Sequence, residues 1–222
     1  AAELTWAAEN GAPVGWTVTV LAETERKRGD FKRAAELLDF AERADARWPW
    51  VHVTRSELAR KRRRYEEAIA CLRRAVAASG GAAWSYALLG RAQAVYRYKK
   101  EGLANLDRAL RLDPLMGWAW GWRGEVRRRF GRGAEARADF DRCLALDPDY
   151  AWGWAWRGGV RRLAGDLAGA RADLDEALRL QENYPWAFAE RSRGPAGAGF
   201  RAAVSCRSSC SSTPSASAVF FR

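Results

Sequence analysis

One histidine and four cysteines are all the sequence offers for nucleophilic or metal chemistry: His52, Cys71, Cys143, Cys206 and Cys210. So scattered, they form neither a zinc signature nor a disulfide framework. No phosphate-cradling glycine loop or nucleophile elbow occurs, so no catalytic residue, metal ligand or cofactor is expected. Indole and guanidinium are abundant instead: 12 tryptophans and 33 arginines among 222 residues, with a net charge of +11. Tryptophan and arginine are frequent energetic anchors of protein interfaces. Rings beside cations also suit base stacking and phosphate neutralisation. The chemistry these residues support is recognition, not bond-making. A chain 48 % apolar and 29 % charged has globular composition. It contains no apolar run of about 18 residues to cross a membrane. The few cysteines suit a reducing, cytoplasmic setting.

Recognition residues need a frame, and the tryptophans declare it. Trp16, Trp50, Trp84, Trp118, Trp152 and Trp186 recur every 34 residues without a slip. A fixed period of this length indicates a stack of supersecondary units. Rows 15–48, 49–82, 83–116, 117–150 and 151–184 align small residues at Ala22, Ser56, Gly90, Gly124 and Gly158. A second small column holds Ala34, Ala68, Gly102, Ala136 and Ala170, and a third column holds Leu38, Leu72, Leu106, Phe140 and Leu174. Each row reads as two helices. In the fourth, one runs from Gly117 towards Phe130 and stops at Gly131, and the next repeats apolar residues at helical spacing until Pro148. One such pair cannot bury its apolar face alone, so neighbouring pairs must pack together.

The row containing Trp120, Gly124, Ala136, Phe140, Cys143 and Pro148 resembles the tetratricopeptide repeat (TPR), whose pattern runs Trp, Gly, Ala, aromatic, Ala, Pro. The resemblance covers about residues 15–194. It implies an all-α fold: a right-handed α-solenoid of stacked antiparallel helix hairpins, with a concave groove along the first helices that takes peptides or partner proteins. Two departures stand out. The family's usual leucine in the seventh column is Arg55, Arg123 and Arg157 here, and its usual tyrosine in the eleventh is often arginine.

The ends do not complete the pattern. Residues 1–14 read as the end of a preceding second helix and a turn, 185–194 as the start of a sixth repeat, and 195–222 as a disordered Ser/Ala/Gly-rich tail. Solenoid ends are normally capped by polar faces, and neither end offers one. A fragment of a longer repeat protein, or a reading frame disturbed near residue 194, is the expected account. Uncapped ends would also permit self-association.

Two sets of columns carry specific expectations. Column seven and column twenty-three change together in three rows: Leu21 with Leu37, but Arg123 with Asp139 and Arg157 with Asp173. Leu89 with Asn105 and Arg55 with Cys71 break the exchange. The family's helix pairing brings these columns near each other, so Arg123–Asp139 and Arg157–Asp173 are expected to be inter-helix ion pairs. The resemblance also places columns two, five, nine, twelve and thirteen on the concave side. The implied groove is an aromatic ladder of Trp16, Trp50, Trp84, Trp118 and Trp152 over small residues (Thr19, Val53, Ala87, Gly121, Ala155). It is flanked by Arg26, Lys27, Arg60, Lys61, Arg128, Arg129 and Arg162. Trp120 and Trp154 fall in the family's core aromatic column with His52, while Trp122 and Trp156 are left unassigned.

Helices about 8–10 Å apart match three residues of an extended or polyproline II strand at roughly 3.1–3.4 Å each. The expected ligand is therefore a protein or extended acidic peptide, containing proline or aromatic residues and read at every third position. Single-stranded RNA in the same groove is the alternative of another class. Second helices rich in aspartate (Asp139, Asp141, Asp173, Asp175) count against it. A third reading is the substrate-recruiting arm of a larger enzyme such as a glycosyltransferase. Such arms line their groove with asparagines, which this chain lacks, and it also lacks the Lys and Asn of the family's carboxylate clamp.

Overall fold

The computed structural model describes residues 14–44 and 47–193; the stretches expected to be a preceding helix end over 1–10 and a disordered tail over 195–222 lie outside them. Among the described residues the chain forms eleven helices and no strand. They fall into two compact units divided between Leu112 and Asp113. The first unit holds α1 (Val14–Arg28), α2 (Phe31–Ala44), α3 (Pro49–Lys61), α4 (Tyr65–Ala78), α5 (Ala83–Val95) and α6 (Lys99–Leu112). The second holds α7 (Gly117–Arg129), α8 (Gly133–Leu146), α9 (Ala151–Leu163), α10 (Leu167–Leu180) and α11 (Pro185–Arg191). Consecutive helices pair as antiparallel hairpins, and within each unit one hairpin packs on the next.

The second helices show why. In α2 the buried residues are Ala34, Leu37, Leu38 and Ala41, and in α8 Ala136, Phe140, Cys143 and Leu144 lie on one stripe. First helices are more enclosed, touching both their own partner and a neighbouring hairpin. In α3 the buried set runs Val51, His52, Val53, Thr54, Ser56, Glu57, Leu58, Ala59. That enclosure explains the small columns. The Gly124 backbone lies so close to Phe140 that an added Cβ would sit 2.7 Å from its ring. Burial pushes the Cys143 thiol up to about 12 and raises that of Cys71, so both behave as small hydrophobes.

The turn inside each hairpin needs one residue in the left-handed region. Gly29, Gly131 and Gly165 occupy it at φ 90°, 77° and 88°, without a Cβ penalty. In the second and third hairpins the residue is instead Arg63 (φ 60°) or Arg97 (φ 90°), at a cost of order 1 kcal/mol each.

The co-varying columns meet as expected. Arg123 Nε and Nη2 donate to the Asp139 carboxylate at 3.1 and 2.6 Å. Arg157 repeats this on Asp173 at 2.9 and 2.7 Å. Both aspartates are buried and receive a second guanidinium, from Arg127 at 2.8 Å and Arg161 at 2.9 Å. Column-seven arginines also reach back to column twenty-five of the preceding row: Arg55–Asp39, Arg157–Asp141 and Arg191–Asp175, each at 2.8 Å. These fasten one hairpin to the next within each unit.

Trp120 and Trp154 depart from expectation. Both are half-buried, Trp154 packing against the cluster of Ala155, Leu174 and Ala177, and their indole N–H groups donate to the Pro114 and Pro148 carbonyls at 2.8 and 2.7 Å. Arg123 lies over the Trp120 ring at 4.4 Å and Arg157 over Trp154 at 4.7 Å. A guanidinium three residues on, held down by a buried aspartate, covers one side of each ring with a cation that the expectation of simple core packing did not include. Trp122 and Trp156 fill the interior instead, meeting edge-on at 5.1 Å. His52 is buried, as expected of its column.

Candidate functional site

The tryptophan column lies along the first helices because 34 residues return the chain to the same helical position. In the first unit Trp50 of α3 and Trp84 of α5 stack face to face, 4.8 Å between centroids and 5° between planes. Both stay half-buried, and Trp16 of α1 is 42 % exposed. Below them Thr19, Val53 and Ala87 are buried, giving a small-residue floor. In the second unit Gly121 and Ala155 are likewise buried. There Trp152 of α9 packs edge-on to Trp156 at 5.6 Å and against Tyr184 at 4.9 Å. It is thus tied more firmly to the interior than its counterparts in the first unit. Trp118 of α7 is half-buried.

The basic columns divide. Lys27 and Lys61 are exposed. Arg26 is buried, its Nε and Nη2 donating to Glu23 at 2.7 and 2.6 Å. Arg60 donates to Glu57 at 2.8 Å, and Arg91 approaches the same carboxylate at 3.3 Å. In the second unit Arg128 and Arg129 share Glu125 at 2.6 and 2.7 Å. Arg162, buried, donates to Glu190 at 3.1 Å. Expected as open cations, these arginines are held by glutamates, three of them a helical turn away.

Residues 99–151 match the tetratricopeptide repeat family. Residues 99–151 therefore carry tetratricopeptide repeats, and the described residues form repeated helix hairpins of that fold. Solved structures share the fold. Pseudomonas aeruginosa PilF superposes with a TM-score of 0.70 at 16 % identity over 79 % of this chain and 80 % of its own. A thermophilic TPR protein of Thermus thermophilus gives 0.67 at 20 % identity over 80 % and 96 %. YrrB, described as a TPR protein with an unusual peptide-binding site, gives 0.58 at 20 % identity over 86 % and 98 %. No curated protein matches the chain in sequence. TPR proteins are generally non-catalytic scaffolds. Among the described residues no group of three or more His, Cys, Asp or Glu could hold a metal, and no helix is long and apolar enough to cross a membrane.

The tryptophan-bearing helices therefore carry carboxylates that column-by-column reading missed. The signal was present as Glu23-x-x-Arg26, Glu57-x-x-Arg60 and Glu125-x-x-Arg128. Burial alone would raise the Glu125 and Glu57 carboxyls. The hydrogen bond and charge of Arg128 at Glu125, and the charges of Arg91 and Arg60 at Glu57, outweigh it and hold both below the ordinary 4.5. Groups depressed on folding stabilise the fold above their unfolded value and lose that contribution as pH falls through the folded one. Melting temperature should stay level from pH 7 to about 5 and fall below about 4.5. A Glu125→Gln variant, less stable at neutral pH, should show the shallower acid slope in a calorimetric pH series.

Proposed function

We propose that this protein is a non-catalytic TPR scaffold that recruits a protein through an extended segment laid along its first helices. The observation that carries this reading is the Trp50–Trp84 stack: large rings aligned across two hairpins, over a buried small-residue floor, with indole surface still open. Pre-positioned aromatic surface binds at low entropic cost. The fold is shared with YrrB, whose description names a peptide-binding site, which supports the same use here. Most flanking guanidinium groups are held by glutamates, so the indole surface carries the contact and the flanking cations add a modest preference for an acidic segment. Buried thiols of Cys71 and Cys143 fit a cytoplasmic setting.

An array of short acidic peptides with proline or aromatic residues at every third position tests this. Trp50→Ala with Trp84→Ala should weaken capture by at least about 30-fold, the loss of one interface hot spot of about 2 kcal/mol. Circular dichroism should show the helices intact. Undiminished capture by that variant removes the tryptophan face from the function.

A further inference from the structure

We infer that the hairpin-turn edge of the first unit is a second binding surface, for single-stranded nucleic acid, separate from the tryptophan face. Three turns form it, and they touch in sequence. Arg62 Nη2 donates to the Phe31 carbonyl at 2.8 Å, joining the first turn to the second. Tyr65 stacks on Tyr96 at 4.3 Å and 20°, joining the second to the third, and Tyr98 donates to Glu66 at 2.9 Å. The edge is continuous.

Its composition is not that of the rest of the chain. Arginine outnumbers lysine 33 to 5, yet all five lysines (Lys27, Lys32, Lys61, Lys99, Lys100) lie at these three turns. A chain-wide bias towards arginine cannot produce that clustering. Arg28, Arg33 and Arg64 have glutamate partners on nearby turns of helix. Among the described residues, Lys32, Lys61, Arg63, Arg97, Lys99 and Lys100 make no ion pair. Arg123, Arg127, Arg157 and Arg161 are by contrast held by buried aspartates; at this edge six cations stand open together.

The backbone points the same way. Arg63 and Arg97 stand in the left-handed position that the first, fourth and fifth hairpins give to glycine. The fifth hairpin turns through Leu163-Ala-Gly-Asp-Leu167 without a cation, so the fold needs none there. Strain retained where glycine would relieve it marks a position held for its side chain. Cations alone would suit any polyanion. Tyr65 at 41 % and Tyr98 at 37 % exposure add ring surface beside them. A row of cations interleaved with open rings matches a strand whose bases are free to stack, better than it matches a lipid surface.

The same two arginines provide the test. Arg63→Gly with Arg97→Gly removes two charges and relieves backbone strain, so the variant should melt no lower than the parent. Its affinity for a fluorescein-labelled oligouridylate, followed by anisotropy across a salt series, should fall. The slope of log affinity against log salt should shrink by about 1.4, at about 0.7 per phosphate contact on single strands. Tyr65→Leu should cost about 10-fold through lost stacking, and Trp50→Ala with Trp84→Ala should leave strand binding unchanged. An unaltered salt slope in the glycine variant overturns the inference. So does strand binding that fails only when the tryptophans are removed. Phosphatidylserine vesicles bound as tightly as the strand, with no effect of Tyr65→Leu on the strand, would overturn it in favour of a membrane surface.

Discussion

Asp173→Ala is expected to destabilise the second unit by about 3–5 kcal/mol, the usual result of removing one partner from a buried ion pair. Asp173 is 2 % exposed and accepts from both Arg157 and Arg161. Its loss leaves two guanidinium groups facing a vacated buried site, Arg161 keeping only the Asp166 carboxylate, 3.8 Å away and 47 % exposed. Arg157 retains Asp141 on its outer side, but that carboxylate is 48 % exposed and screened. Thermal unfolding should report a drop of roughly 10 °C for a protein of this size. The first hairpin points to the rescue, because Leu21 and Leu37 occupy the equivalent columns and Leu37 is buried. Arg157→Leu and Arg161→Leu with Asp173→Leu should return to within about 1 kcal/mol of the parent, since apolar replacement of a whole buried charge cluster is often neutral or better. A triple variant no better than Asp173→Ala would show that the cluster does more than fill space.

The Gly90–Gly102 crossing should respond almost as strongly. A Cβ on Gly102 would lie 2.7 Å from both the Ala94 nitrogen and the Gly90 carbonyl oxygen, backbone atoms that cannot swing aside. Alanine at a helix interior ordinarily gains about 1 kcal/mol over glycine. Here α5 and α6 would have to move apart, and overpacking costs about 1–3 kcal/mol, so Gly102→Ala should be a net loss. Gly102→Val should reach about 3 kcal/mol. Gly133→Ala is the counterpart, because its Cβ meets only Val160, at 4.0 Å. That substitution should be neutral to mildly stabilising in denaturant titration. Equal behaviour of Gly102→Ala and Gly133→Ala would mean the close approach is not what selects glycine.

The hairpins were legible because a strict period needs no tertiary information: Ala34, Leu38 and Ala41 recur down the rows wherever second helices must bury one stripe. The Arg123–Asp139 and Arg157–Asp173 pairs were legible for a related reason, since two columns changed identity together. Individual indoles were harder. Trp120 and Trp122 are two residues apart on one helix, and which of them turns inward depends on what the neighbouring helix offers. Asp139 draws Arg123 across Trp120, leaving the interior to Trp122. No helical period encodes that choice. The basic columns misled because vertical reading hides horizontal partners: Glu125 sits three residues before Arg128 in the same row.

Helix α11 has seven residues, too few to hold itself together, yet it supplies Glu190 to Arg162, side chains 7 % and 10 % exposed, and Ala187 to the cluster of Leu174, Ala177 and Tyr184. Trimming the polypeptide just ahead of Pro185, which counting repeats would recommend as a tidy boundary, strands a cation among aliphatic neighbours. The stub is a stopper: anyone shortening this protein for expression should retain it through Arg193, or expect the adjoining pair of helices to loosen.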